Sequence, residues 1–255
     1  MLLVLALLAG CFTSGPLSDK VSHVGQANRD LASAKAYPKL YVEIDSPAGY
    51  GPDAAALDTY RSNLVAATGR ASGDITIDTS DQSIPVDAAH TYTLSEIEKL
   101  ESDHRSHHTG GDTAALYLIY VAGHYEGDSG SSKVLGVTYR GTSIAIFKGN
   151  LQASSASGPL SGAPPLTCVE QSVVTHETGH AMGLVNLGTR MQTPHEDAQH
   201  PGHSANAQSV MYYAVESSQS LASITKLLTG SPSCDQTGIP YTYDGNDLAD
   251  LKALG

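Results

Sequence analysis

Apolar and polar positions along this chain fall into three regimes. Met1 to Gly10 is an almost unbroken run of Leu, Val and Ala, Phe12 to about Ala34 is polar with little periodicity, and from Lys39 onward apolar residues recur with regular spacing. Leu40, Val42 and Ile44 alternate with Tyr41 and Glu43, which predicts a strand, because successive strand side chains point to opposite faces. Leu57, Tyr60, Leu64 and Val65 share one helical stripe, so Pro52 to Thr68 reads as a helix that opens at Asp53 and stops at Gly69. Asp74 to Asp78 reads as a short strand. Thr93 to His104 reads as a second helix, with Glu96 and Glu98 in its first turn, where negative charge suits the helix dipole. Three segments rich in β-branched and aromatic residues follow: Ala114 to Ala122, Val134 to Tyr139 and Ser143 to Lys148. Breaks at Gly127 to Gly130 and at Gly141 make them strands, the last two placed to form a hairpin.

A Ser-, Gly- and Pro-rich loop, Ser154 to Pro165, then leads into a helix over Cys168 to Met182. Thr167 and Glu170 have the spacing of a capping box, and Gly183 stands where a helix would end in a left-handed turn. Beyond Gly183 the regular patterns fade. The chain is polar to Tyr213, Ser217 to Leu228 suggests a short helix, and Asp244 to Leu254 suggests a terminal helix with Leu248, Leu251 and Leu254 on one side. The expectation is a single α+β domain over residues 36–255. A twisted mixed sheet and covering helices would fill its N-terminal subdomain, about 36–183, and a largely irregular C-terminal subdomain, about 184–255, would end in a helix.

Composition narrows the setting. With 255 residues, 40% of them hydrophobic, the chain can bury one substantial core. A net charge of −12, with only 14 Lys and Arg, argues against a nucleic-acid partner, because a phosphate backbone calls for clustered cations. The opening apolar run reads as a signal peptide over residues 1–10. Leu8-Ala9-Gly10-Cys11 resembles the lipobox of bacterial lipoproteins, which implies that Cys11 is lipidated, that residues 11–35 form a tether, and that the protein is held outside the cytoplasm on a bacterial membrane. An ordinary secretory signal would export it without the anchor. No basic residue precedes the run, which points to a start further upstream. In an oxidising compartment Cys168 and Cys234 are expected to pair, tying the start of the long helix to the C-terminal region.

The candidate chemistry lies in that helix. His176-Glu177-Thr178-Gly179-His180 places two histidines four apart, so both imidazoles can reach one Zn²⁺ while Glu177 faces a metal-bound water. Gly183 follows three residues after His180, and Ser209-Val210-Met211-Tyr212-Tyr213 lies downstream. With these two features the region from about 168 to 213 resembles the metzincin clan of zinc peptidases, whose longer motif H-E-x-x-H-x-x-G-x-x-H precedes a methionine-containing turn. The resemblance implies a metzincin-like zincin fold, one catalytic zinc, and Met211 as an apolar floor beneath the site.

The pattern departs from the clan at the third ligand, where Asn186 occupies the usual position and a neutral amide is a poor zinc ligand beside imidazole. In the archaemetzincin branch the third histidine precedes the turn methionine by eight residues, and here His203 precedes Met211 by that interval. The comparison implies that the segment Leu184 to Gly202 displaces the third ligand to His203, with His200 and His195 as the alternatives. A second ion held by His195, Glu196, Asp197 or His200 is a further reading.

On this basis the sequence points to a monomeric zinc endopeptidase acting on extracytoplasmic proteins or peptides. Glu177 would be the general base and acid, and Tyr213 would stabilise the tetrahedral intermediate, as the tyrosine two past the methionine does in some metzincins. The same residues admit two other readings. One is a non-catalytic surface lipoprotein that binds a partner and uses its metal structurally, and the other is a zinc amidase acting on cell-wall material.

Overall fold

The computed structural model of the protein describes residues 23–155, 164–225 and 233–255. The apolar run, Cys11, the first part of the expected tether, the middle of the 154–165 loop and the end of the expected 217–228 helix lie outside them. In chain order the elements are α1 (Asn28–Ala32), β1 (Lys39–Asp45), α2 (Ala54–Thr68), β2 (Ile75–Asp78), β3 (Thr91–Tyr92), α3 (Leu94–His104), β4 (Thr113–Val121) and β5 (His124–Tyr125). They continue with β6 (Gly136–Arg140), β7 (Ser143–Phe147), α4 (Lys148–Ala153), α5 (Leu166–Ala181), α6 (Ser218–Ile224), α7 (Cys234–Thr237) and α8 (Gly245–Lys252).

Five strands form a mixed sheet in the order β2-β1-β4-β7-β6. Strand β1 is parallel to β2 and β4, β4 is parallel to β7, and the predicted β6/β7 hairpin closes one edge antiparallel, with an irregularity between Thr138 and Arg140. The central strand β4 is buried on both faces, which explains its continuous apolar run. Leu116, Leu118 and Tyr120 face a core that includes Tyr60 and Leu64 of α2 and Val169 and Val173 of α5. Tyr117, Ile119 and Val121 face a second core containing Ile97 of α3 and Phe147 of β7.

The helix boundaries follow their polar caps. The Asp53 carboxylate accepts the Ala55 and Ala56 N–H groups, and Thr93 forms a reciprocal capping box with Glu96. The proposed Thr167/Glu170 box does not form. Helix α5 starts behind Pro165 without a side-chain cap, and Glu170 is buried in an ion pair with Lys148 at 2.6 Å while also accepting the Asp53 N–H. Its charge neutralises a buried lysine and orients the start of α2, so it is unavailable to the helix terminus.

Nor is the polar segment before residue 34 a tether throughout. Helix α1 buries Leu31 and Ala32, because the Arg70 guanidinium donates to the carbonyls of Asp30, Leu31, Ser33 and Tyr37. Those bonds satisfy a helix end that has no sequence signature of its own. Burial lowers the Arg70 pKa to about 10, still high enough to keep it charged at neutral pH.

Cys168 and Cys234 are joined by a disulfide, which fastens the start of α5 to α7. Among the described residues no helix is long and apolar enough to cross a membrane.

Candidate metal centre

Helix α5 is buried from Cys168 to Ala181, lying between α2 and the β6/β7 edge of the sheet. It is pinned by polar contacts on its flanks. The Tyr60 hydroxyl meets the Thr178 hydroxyl at 2.8 Å, the Asn63 amide donates to Thr175 Oγ1, and the Tyr243 hydroxyl donates to the Thr175 carbonyl. This fixes the helix rotation, and with it the direction of His176 and His180, whose Nε2 atoms are 3.0 Å apart. The helix ends as the glycine predicted, with Gly183 at φ +72.

The chain returns to the helix through a small hairpin. Glu196 bridges Ser204 antiparallel, Asp197 N–H donates to the His203 carbonyl, and Ala205 N–H donates to the His195 carbonyl. The turn at Pro201 and Gly202 is fixed by Gly202 N–H donating to the Glu196 carboxylate at 2.8 Å. His203 is thereby delivered beside the helix histidines, its ring stacked 5.3 Å from that of His176 and edge-on 5.0 Å from that of His180.

Residues 209–211 lie under both segments. The Val210 carbonyl accepts the Nδ1–H of His176 at 2.6 Å, and the Met211 carbonyl accepts the N–H of Ser204, the residue after His203. The Met211 side chain is buried against Gly179. A methyl at position 179 would fall on its sulphur, so the second variable slot of the motif favours glycine here. The turn is in turn held from α8: Ser209 Oγ donates to Asp247 at 2.5 Å, while Met211 N–H donates to Ser209 Oγ.

Four side chains converge at the centre. His176, His180, His203 and Glu216 each offer a ligand atom, all within 4.8 Å of one another. Glu216 had not been anticipated; its Oε1 is 2.7 Å from His203 Nε2, 3.8 Å from His180 Nε2 and 4.0 Å from His176 Nε2. It follows the 3-10 turn Tyr213–Val215, five residues past the methionine, where no local pattern marks an acidic residue as special.

The other candidates lie elsewhere. Asn186 is exposed and contacts Glu196, and His200 bonds Asp197 and stacks flat on Tyr213 at 3.6 Å. His195 turns towards α8, its Nε2 3.4 Å from Asp247 and 3.7 Å from Asp250. Tyr213 is therefore found against His200 and not among the converging ligand atoms.

The donor set fits a divalent ion such as zinc. The His176 Nδ1–H bond to Val210 leaves Nε2 with its lone pair facing the centre, the form a metal requires, while Nδ1 of His180 and of His203 has no partner among the described residues. Burial, reinforced by the neighbouring His176, lowers the His180 pKa to about 4, so its imidazole is neutral at physiological pH. Burial raises the pKa of Glu177, whereas for Glu216 the cost of burial is outweighed by the three histidines beside it, of which His203 is within hydrogen-bond distance, and its carboxyl is held well below the ordinary range.

Glu177 stands apart from the four. Its carboxylate and its own carbonyl share the Thr138 hydroxyl, at 2.8 and 2.7 Å, so a residue of edge strand β6 sets its position. An acid next to a converging ligand set, but not spent as a ligand, is available for proton transfer.

Fold and donor set thus define an α+β protein with a helix-borne, histidine-rich site suited to zinc. No family model matches the chain, and no curated protein matches it in sequence. Among solved structures it is similar to archaemetzincin from Methanopyrus kandleri, at 13% identity and a TM-score of 0.49, over 85% of this chain and 94% of that one. It is also similar to a zinc-dependent peptidase from Methanocorpusculum labreanum, at 12% identity and a TM-score of 0.47, over 83% of this chain and 99% of that one.

Proposed function

We propose that the protein is a zinc-dependent endopeptidase, with His176, His180 and His203 as metal ligands and Glu177 as general base and acid. The observation that carries this reading is the meeting of three imidazoles from two separate segments at one buried point, beside a carboxylate that is not itself part of the ligand group. When bound, zinc supplies Lewis acidity, lowering the pKa of a coordinated water towards ~7 and polarising a carbonyl.

The chain's own residues account for the rest. Glu177 takes a proton on its carboxylate and returns it to the leaving amine, and the upward pKa shift that burial causes makes it a stronger base than an ordinary surface carboxylate. Thr138 holds that carboxylate in place. Because Thr138 belongs to β6, which lies at the edge of the sheet, an extended peptide adding to that edge would be aligned by the same strand that positions the base. Tyr213 donates its phenol to the developing oxyanion in this reading, after leaving its stack on His200.

The proposal extends to location and partners. The Leu8 to Cys11 pattern supports export with a lipid anchor at Cys11, and the Cys168–Cys234 disulfide is in keeping with an oxidising compartment. The substrates would then be extracytoplasmic proteins or peptides, cleaved by a monomer.

The test compares zinc-loaded wild type with Glu177→Gln on an unfolded protein substrate. The expected result is one zinc per chain in both proteins and internal cleavage by wild type, with the variant slower by about 10²- to 10⁴-fold. Undiminished cleavage by the variant would sink the mechanism. Cleavage confined to cell-wall amides would replace the peptidase reading with the amidase one.

A further inference from the structure

The carboxylate of Glu216 stands where the three histidine Nε2 atoms converge, and it approaches from the open side. Its side chain is 45% exposed, whereas those of His176, His180 and His203 are 0%, 9% and 11% exposed. It therefore caps a set of otherwise buried donors, on the side from which water or a substrate would arrive.

The backbone that carries Glu216 is attached to the same edge of the sheet that would receive a peptide. Val134 bridges Ser217 antiparallel, the Leu135 N–H donates to the Glu216 carbonyl at 3.1 Å, and Ser218 N–H donates to the Lys133 carbonyl at 2.8 Å. Lys133 N–H answers with a bond to Ser218 Oγ, also 2.8 Å. Residues 216–218 thus pair with residues 133–135, which run directly into β6. A peptide strand laid along β6 and continuing past Gly136 would compete for the Leu135 N–H that now holds Glu216.

From this juxtaposition we propose that Glu216 is a fourth, displaceable metal ligand, which closes the site until an extended chain pairing with the β6 edge draws it away. The inference rests on the reading of His176, His180 and His203 as ligands of one zinc. Glu216 then has two roles that pull in opposite directions: it strengthens the hold on the ion, and it keeps other ligands off it. No bond is made or broken beyond coordination.

Glu216→Gln separates these roles, and the partial exposure of the side chain makes a folding defect an unimportant outcome. Zinc affinity, measured by competition with a chromophoric chelator, is expected to weaken about tenfold or more in the variant, the scale of loss seen when a supporting group at a metal site is removed. Acetohydroxamate, a small probe that binds zinc directly, is expected to bind the zinc-loaded variant about tenfold more tightly, because wild type offers the open position only part of the time. In the cobalt-substituted protein, the visible absorption bands of wild type should change on substitution, and Glu216→Asp should restore part of the difference.

If zinc and acetohydroxamate affinities are the same in wild type and Glu216→Gln, while His203→Ala abolishes zinc binding, the fourth-ligand role is overturned and the three-histidine site stands. If wild type itself fails to take up zinc, the site reading falls and the proposal falls with it.

Discussion

The two halves of the centre are built in different ways. His176, Glu177 and His180 come from a regular, fully buried helix, where a spacing of four residues alone sets two side chains on one face. His203 and Glu216 come from a stretch, 184–216, with almost no regular structure. Their positions depend on a bond across the stretch, Ser204 to Met211, and on bonds to distant residues, Ser209 to Asp247 and Leu135 to Glu216. The helix half is specified locally, so it can be recognised locally. The irregular half is specified by its surroundings, so damage to those surroundings should move His203 and Glu216 while leaving His176 and His180 in place.

The largest expected effect breaks the contrast at the ligands themselves. Replacing His203 by Ala should remove stoichiometric zinc, as should replacing His176, whereas His200→Ala, His195→Ala and Asn186→Ala should each retain about one zinc per chain. Metal analysis of the dialysed proteins decides this. Loss of zinc from the His200 or His195 variant, with retention in His203→Ala, would show that the hairpin delivers a different histidine.

A smaller effect probes the anchor of the irregular half. Asp247 is fully buried on α8, and burial raises its pKa to about 6 from 3.8. Between those two values the folded protein holds more protons than the unfolded chain, so this group's contribution to stability falls as pH rises from about 4 to about 6 and then levels off. Asp247→Asn keeps an oxygen to accept from Ser209 but does not ionise. Relative to wild type, the variant should therefore gain stability between pH 4 and pH 7, by up to roughly 3 kcal/mol. Urea unfolding at the two pH values measures it, and a constant difference between the proteins would contradict the raised pKa.

The smallest effect tests the contact between the halves. Gly179→Ala places a methyl against the Met211 sulphur, and overpacking of this kind costs about 1–3 kcal/mol. Thermal denaturation should show the loss, and Met211→Ala in the same chain should relieve part of it. If Gly179→Ala is neutral, the helix and the turn beneath it are packed less tightly than the structure shows.

Much of the framework was legible. Alternation marked β1, the stripe of Leu57, Tyr60 and Leu64 marked α2, and Asp53 and Gly69 marked its ends, because each of these signals arises within a few residues. The separate two-stranded sheet of β3 and β5 was not legible, since two-residue strands carry no period. Helix α1 was missed for a different reason: its end is satisfied by Arg70, some forty residues on, and a polar surface in sequence became a buried one in space. Glu170 misled in the opposite direction. Its spacing from Thr167 fitted a cap, but burial beside Lys148 is a stronger demand on a carboxylate than an exposed helix terminus.

By itself the sequence determined the helix-borne pair His176 and His180, the acid between them, the left-handed stop at Gly183 and, by spacing to Met211, attention to His203. Helical periodicity and the conformational freedom of glycine are properties of adjacent residues, so a linear reading reaches them. The tertiary structure decided which histidine of the 195–203 segment comes to the centre, that Tyr213 rests on His200, and that Glu216 joins the three imidazoles. Those outcomes depend on hydrogen bonds and packing between segments far apart in the chain, and such contacts leave no period for a sequence to display.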